Sequence, residues 1–465
     1  MRASIAAEKA GVPAVSIVAT TFLSAGRGVA KGLGIANPQF AEYPGPPMMD
    51  SDEVLRDKVV NLILPAVLEG WKRSNVKAEA SAPVAEPKPR DIVFRGTLDE
   101  VQESFYRKEW TDGMPIIPPT MARVERFLQF TDRAPDEVVG VCLPDYREAT
   151  IWNIAVNGVM SGCRPEYMPV LIAVAEALID PVFTLEHGGS TPGWEPLVII
   201  SGPIIKELDF NYLGGVMRVG RKANTSIGRF VRMLIRNIAG QRILPTGTDK
   251  GCFGMTFNCV LAENEDAVAE VGWQPYSVDR GFQRGDNVVT TISVVSPTQR
   301  VNSGGQDPEN HAQIMAEVLG HAFISGSYNG IRHQLVYPLF VMSPSIAKVL
   351  SDHGWSKDKL RQYLYDNVKG RAGDIEKYGS NSSIRGYSMK EMVAQGRIPA
   401  EYHESDDPNR LVRVFVKPEW IQLVVSGDPG RNQSKAYIQN HRQGIPVTKQ
   451  IKLPQRWREL VTPSR

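Results

Sequence analysis

Four side chains sit in loop contexts where they can act on a substrate: Asp112, Glu166, His187 and Cys252. Asp112 lies in Trp110-Thr-Asp-Gly-Met-Pro-Ile-Ile-Pro-Pro-Thr120, where the prolines and the glycine exclude regular structure and predict a rigid loop. Such a carboxylate can act as a base or accept a substrate hydrogen bond, and it can equally fix its own loop. Glu166 follows Arg164-Pro165 and opens a predicted helix, where a carboxylate is favoured with or without a ligand. His187 belongs to the polar loop Glu186-His-Gly-Gly-Ser-Thr-Pro-Gly-Trp-Glu195; it suits general acid–base work near neutral pH or is simply solvated. Cys252, in the turn Gly251-Cys-Phe-Gly254, has the most reactive setting of Cys142, Cys163, Cys252 and Cys259. Inert burial is the default for all four.

The residues expected to hold a ligand are Thr191, in the same loop as His187, and Arg221, Asn224, Thr225 and Arg229. The last four belong to Arg218-Val-Gly-Arg-Lys-Ala-Asn-Thr-Ser-Ile-Gly-Arg229, which sets glycine and basic residues ahead of a helix predicted over 223–237, with Asn224 or Thr225 as its N-cap. Free N–H groups and the helix dipole at such an entrance suit a carboxylate or phosphate, and Arg221, Lys222 and Arg229 add charge. The alternative is an ordinary capped helix with solvated basic residues. Arg229, Arg232 and Arg236 share a face and can also pair with acidic residues of another domain. His311 and His321 fall about 280° apart around a helix, and no Cys-x-x-Cys pair exists, so no metal site is assigned. No phosphate loop, dinucleotide fingerprint or nucleophile elbow is present, and the cofactor is left unknown.

The elements that would position these groups begin with a helix ending at Gly11 and Pro13, a strand at Ala14–Ala19 read as buried on both faces, and a helix from Thr20 or Thr21 to about Leu33. A second strand follows at Phe40–Tyr43. Asp50-Ser-Asp-Glu53 then opens an amphipathic helix with apolar Leu55, Val59, Leu62, Ile63 and Leu68. This order predicts a partial Rossmann-like parallel sheet. Two strands are too few to stand alone, so the rest comes from another chain or from the main domain, or else the chain start has lost a piece. The Pro/Ala/charge-rich stretch Lys77–Arg90 reads as a linker, dividing the chain into an α/β lobe at 1–75, a linker at 76–92 and a larger mixed α/β domain at 93–465. In the latter, Thr97-Leu-Asp-Glu100 is a capping box. Helices are expected near 149–160, 166–179, 309–323, 345–353 and 357–367. Strands are expected at 197–201, 256–261, 287–295, 334–341, 411–416 and 421–425.

Composition limits the function classes. The 465 residues carry a net charge of +2, which argues against nucleic acid or an acidic membrane surface as the main partner. No uncharged apolar run reaches the ~18 residues of a membrane span. Four cysteines are too few for a disulfide scaffold and point to the reducing cytoplasm.

Several segments together resemble the UGSC family of (seleno)proteins: Glu8-Lys-Ala-Gly-Val-Pro-Ala14, Asp112-Gly-Met-Pro115, Gly162-Cys-Arg-Pro-Glu-Tyr167, Pro196-Leu-Val-Ile-Ile-Ser-Gly-Pro203, Arg221–Arg229, Ala262-Glu-Asn264, Arg280-Gly-Phe282 and Gly354-Trp-Ser-Lys357. The resemblance runs over nearly the whole chain. The family's U/C-Gly-Ser-Cys motif falls just upstream of the helix ending at Ala10-Gly11, and in this sequence it is missing. The family's N-terminal half is distantly similar to the selenoprotein subunits of glycine and proline reductases, which implies reductive or substitution chemistry at a thiol or selenol. The sequence therefore predicts an enzyme acting on a small anionic molecule. The alternatives are a non-thiol acid–base lyase or hydrolase on the same scaffold, and a non-catalytic subunit paired with a chain that carries the motif. A homo-oligomer, or a partner subunit completing the N-terminal sheet, is expected.

Overall fold

Glu195-Pro-Leu-Val-Ile-Ile-Ser201 is buried at every position, as its apolar β-branched run requires. It pairs antiparallel with Val288–Val294 and parallel with Leu261–Ala262, and Val447–Gln450 joins the far edge of Val288–Val294. A second sheet places Leu339–Met342 between a parallel Gln422–Val425 and an antiparallel Gln433–Ile438, with Ser296–Pro297 and Val301–Asn302 also pairing to Gln433–Ile438. The computed structural model describes residues 2–32, 35, 37–47, 50–74, 88, 90–243, 247, 249–324, 330–381 and 388–461. Most of the expected linker lies outside these described residues.

Period-two alternation explains how the two sheets pack. Leu197, Ile199, Ile292 and Val294 of the first sheet meet Leu339, Val424 and Tyr437 of the second in one core. The alternate residues Phe340, Met342, Leu423 and Val425 turn the other way, into a core with the helices around 308–324, 344–352 and 357–367. The Met168–Ile179 helix, apolar nearly all round, packs against Val288–Val294 and Val447–Gln450. The layers are helix, sheet, sheet, helix, which is an α/β architecture with mixed sheets.

The chain divides into two units, Met1–Trp110 with Val141–Glu148 and Ile235–Lys250, and Thr111–Gly140 with Ala149–Leu234 and Gly251–Arg465. In the first unit, Arg2–Lys9 is a helix and Gly11 takes φ 79°, the left-handed stop its sequence predicts. Ser16–Ala19 and Phe40–Tyr43 form the expected parallel pair. The first strand is not buried on both faces, however: Ile17 is 62% exposed, because nothing covers that side of a two-stranded sheet among the described residues. Thr20 does not cap a helix directly; a single tight turn over Thr20–Phe22 precedes the Leu23–Gly32 helix.

Ser51, as N-cap, opens the third helix of this unit, over 52–74, and accepts a hydrogen bond from the Val54 N–H. Its middle, Val59–Ile63, is a π turn just ahead of Pro65, whose missing N–H and bulky ring the wider turn accommodates. Across the bulge Ile63 turns inward and Leu62 outward; Val59 and Leu68 are exposed too, so of the apolar residues read from the sequence Leu55 and Ile63 meet the core. The predicted strand at 256–261 shrinks to Leu261–Ala262, and Gln433–Ile438 and Val447–Gln450 are strands that no strong apolar alternation announced.

Candidate functional site

The Lys222–Asn237 helix organises most of the residues singled out above. Asn224 and Thr225 are not its N-cap; they lie inside the first turn, because each side chain is committed elsewhere. Buried Asn224 accepts from the Asn211 N–H at 2.7 Å and donates to the carbonyls of Asn211 at 3.0 Å and Val260 at 3.1 Å. Thr225 Oγ1 accepts from the Gly220 N–H at 3.1 Å and lies 3.9 Å from the Cys259 sulfur. One turn later, Gly228 lets the helix approach the next segment: a Cβ there would sit 2.6 Å from the Cys259 nitrogen.

Arg229 and Arg232 of this helix, and Arg221 just ahead of it, are matched by carboxylates. Arg221 donates to both oxygens of exposed Asp209 at 2.7 Å. Arg229 grips Asp112 through two parallel hydrogen bonds, Nε to Oδ2 at 2.8 Å and Nη2 to Oδ1 at 2.7 Å, and also donates to the carbonyls of Met114 and Pro115. Arg232 reaches buried Glu195 at 3.2 Å. Burial alone would raise the Asp112 carboxyl, but the Arg229 bonds and charge and the Met114 N–H outweigh it and hold the group below the usual range. An ionised, doubly bonded carboxylate of this kind is a weak base and a strong anchor for its loop.

Cys163 lies beside this helix, where Ser226, Lys222 and Arg229 favour its thiolate, yet burial dominates and pushes the thiol up to about 12. Burial does the same to Cys142 and raises Cys259. Cys252 is the exposed thiol of the four. Its N–H donates to the Thr191 carbonyl at 3.3 Å, joining the Gly251–Gly254 turn to the loop of His187. Gly193 makes that approach possible, with φ 61° and the Gly251 Cα 2.7 Å from where a Cβ would be. His187 is exposed at the end of a short turn, Leu185–His187. In this loop Thr184 Oγ1, Ser190 Oγ and Trp194 Nε1 are buried without a protein partner, so water or a ligand group must complete them. Glu166 sits in the tight turn Pro165–Tyr167 rather than in the helix proper, 3.6 Å from Arg164. Among the described residues no hydrogen bond links Glu166 or His187 to another predicted site residue. His311 is a core histidine: its Nδ1 lies 2.6 Å from Ser303 Oγ and its Nε2 3.1 Å from the Gly305 carbonyl.

Sequence reasoning missed a second cluster, at the carboxyl ends of the parallel strands. Glu263, directly after Leu261–Ala262, is fully buried; both its oxygens accept from the Tyr276 N–H, at 3.0 and 2.8 Å, and Oε2 also accepts from Ser201 Oγ at 3.1 Å. Lys357 Nζ stands 4.0 Å away and is held by Asp279 at 2.8 Å, which also takes Arg361 at 2.6 Å. Burial is the main cause that raises Glu263 to about 7, against the pull of Lys357 and the Tyr276 N–H. Tyr276 OH bridges to Gln422 of the other sheet at 2.9 Å. The Asn264 N–H bonds the Val425 carbonyl, and Tyr212 O accepts from the Gly427 N–H, so the ends of both parallel pairs meet here beside the loop that leads into the Lys222–Asn237 helix. The only signal in the sequence was that Ala262-Glu-Asn264 and Gly354-Trp-Ser-Lys357 both belong to the family-like segments.

Fold and clusters define a mixed α/β protein whose polar groups gather at strand ends and at one helix entrance. Its N-terminal segment, residues 1–73, matches the model of the UGSC family. The match ends before the segments around Asp112, Arg229 and Glu263. No curated protein and no solved structure matches the chain. Among the described residues no helix is long and apolar enough to cross a membrane.

Proposed function

We propose that the chain is an enzyme of the UGSC-like family, or the substrate-binding part of one, acting in the cytoplasm on a small anionic molecule at the entrance of the Lys222–Asn237 helix. The observation that carries this reading is the meeting of two parallel strand pairs, Glu195–Ser201 with Leu261–Ala262 and Leu339–Met342 with Gln422–Val425, beside that entrance. Ligands of α/β sheets settle at the carboxyl ends of strands, and a helix N-terminus offers N–H groups and a positive dipole. Arg221 and Lys222 add charge, and the exposed Asp209 carboxylate is one that an incoming anion can displace from Arg221. For the chemistry we assign Cys252 as nucleophile: its thiolate forms a bond to a substrate carbon while the leaving group departs with the bonding pair. His187 takes the thiol proton, and Glu166 is a second acid–base candidate.

A second reading, a non-catalytic subunit completed by another chain, is favoured by the N-terminal sheet, whose two parallel strands leave both outer edges unpaired among the described residues.

Two measurements test the first reading. Calorimetric titration with phosphate and small mono- and dicarboxylates is expected to find one anion bound, weakened about tenfold or more by Arg221→Ala or Lys222→Ala. Iodoacetate is expected to alkylate Cys252 faster than neutral iodoacetamide does. No anion binding, together with a slower iodoacetate reaction, rejects the reading.

A further inference from the structure

The 52–74 helix of the first unit meets its sheet with one face and presents another to solvent. Ile63 is 3% exposed and packs with Ala41 and Tyr43, while Leu55, Ala66 and Val67 close over them. Gly70 backs onto Val15, whose Cγ2 would be 2.9 Å from an added Cβ. On a different side, Val60, Leu64, Leu68 and Trp71 are 53%, 52%, 48% and 49% exposed. Their spacing of four, four and three residues puts them in one stripe. A contiguous apolar stripe on a surface helix marks an association site.

We propose that this stripe is the contact between two copies of the chain, their 52–74 helices running antiparallel across a two-fold axis near Leu64. The charge pattern selects this occupant. The first turns carry Asp52, Glu53 and Asp57 against Arg56, and the last turns carry Lys72 and Arg73 against Glu69, which pairs with both, so the start is net acidic and the end net basic. Lys58 is turned inward onto Asp50 at 2.6 Å and over the Tyr43 ring, so it does not cancel the acidic end. Asp57 and Lys72 stand at nearly equal distances on either side of Leu64. Antiparallel pairing therefore sets Val60 against Leu68 of the second copy, Leu64 against its own image, and Asp57 across from Lys72. Parallel pairing would set acidic end against acidic end. The same patch serves both copies, which is the isologous arrangement of a closed dimer. This contact lies on the helix, not on the open edge of the two-stranded sheet.

Sedimentation velocity of the full chain over a concentration series tests the proposal. A monomer–dimer equilibrium is expected, with the dissociation constant raised about tenfold or more by Leu64→Asp and, at low salt, severalfold by Asp57→Lys. Combining Asp57→Lys with Lys72→Asp is expected to restore wild-type affinity. All these positions are exposed, and circular dichroism verifies that each variant is folded. A wild type that stays monomeric at every concentration overturns the proposal. So does a dimer indifferent to Leu64→Asp, or a double variant that associates no better than Asp57→Lys alone.

Discussion

Arg229 and Asp112 stand 117 residues apart in the sequence and meet in a two-pronged ion pair, both bonds under 3 Å, with each side chain mostly buried. The pair ties the Trp110–Thr120 loop to the middle of the Lys222–Asn237 helix, and Arg229 adds the Met114 and Pro115 carbonyls to its hold.

Breaking that pair should destabilise the protein. Asp112→Ala leaves a half-buried guanidinium unmatched and is expected to cost about 1–3 kcal/mol, below the range for fully buried pairs because both groups keep some water contact. Arg229→Lys should recover little of this, since an ammonium cannot reproduce the planar fork. Because the Asp112 carboxyl is held below its ordinary value, the contribution is present at neutral pH and disappears as pH falls through the folded-state value in the acid range. Urea midpoints at pH 7 and pH 3 read both effects; equal losses at the two pH values would show that the ion pair is not the cause.

Glu263 should act in the opposite direction. Its folded value, about 7, lies above the ordinary carboxyl range, so its stabilising contribution is complete below about pH 4 and is lost as pH rises through 7. Wild-type stability is expected to fall by a few kcal/mol between pH 4.5 and pH 8 from this group. Glu263→Gln keeps the shape without the charge and should flatten that slope. Parallel pH profiles for the two proteins would refute the assignment.

Thiol titration should count one fast cysteine. Cys252 is exposed, whereas Cys142, Cys163 and Cys259 are buried with their thiols pushed up. Ellman's reagent is expected to find one reactive thiol in the native protein and four in denaturant, with the native signal abolished by Cys252→Ser. Two or more fast thiols in the native state would contradict this.

Gly228→Ala probes the close passage of the helix over residues 258–259. An added methyl would lie 2.6 Å from the Cys259 nitrogen and 2.7 Å from the Asn258 carbonyl carbon, both backbone atoms. Alanine's better helix propensity offsets less than 1 kcal/mol, so a net loss of roughly 1–3 kcal/mol is expected in urea unfolding. A neutral or stabilised variant would mean that the helix can shift away.

Short-range features were legible from the residues alone. Thr97-Leu-Asp-Glu100 forms its capping box as read, and Gly11 takes the left-handed stop of the first helix, because each depends only on neighbours within one turn. The parallel pairing of Ser16–Ala19 with Phe40–Tyr43 also followed, from short apolar runs separated by a helix. Reading Asn224 or Thr225 as N-cap failed because capping is a local preference that a buried hydrogen-bond partner overrides; Asn211, Val260 and Gly220 were the partners. In the 52–74 helix the π turn brings Ile63 inward and leaves Leu62 outside, which ideal periodicity does not anticipate, whereas Leu68 lies about 140° from Ile63 even in plain helix geometry.

The sequence by itself determined where helices start and stop, which strand runs are apolar, and which polar residues are available for chemistry, since propensity, capping and periodicity act over a few residues. Only the tertiary structure decided that Asp112 answers Arg229, that Cys252 is the exposed thiol, and that Glu263, Lys357 and Asp279 share one buried cluster. Burial and charge pairing depend on which distant segments are brought together. Packing two sheets face to face inside helical layers sets those neighbours, and with them the desolvation that moves Glu263 and the pairing that holds Asp112.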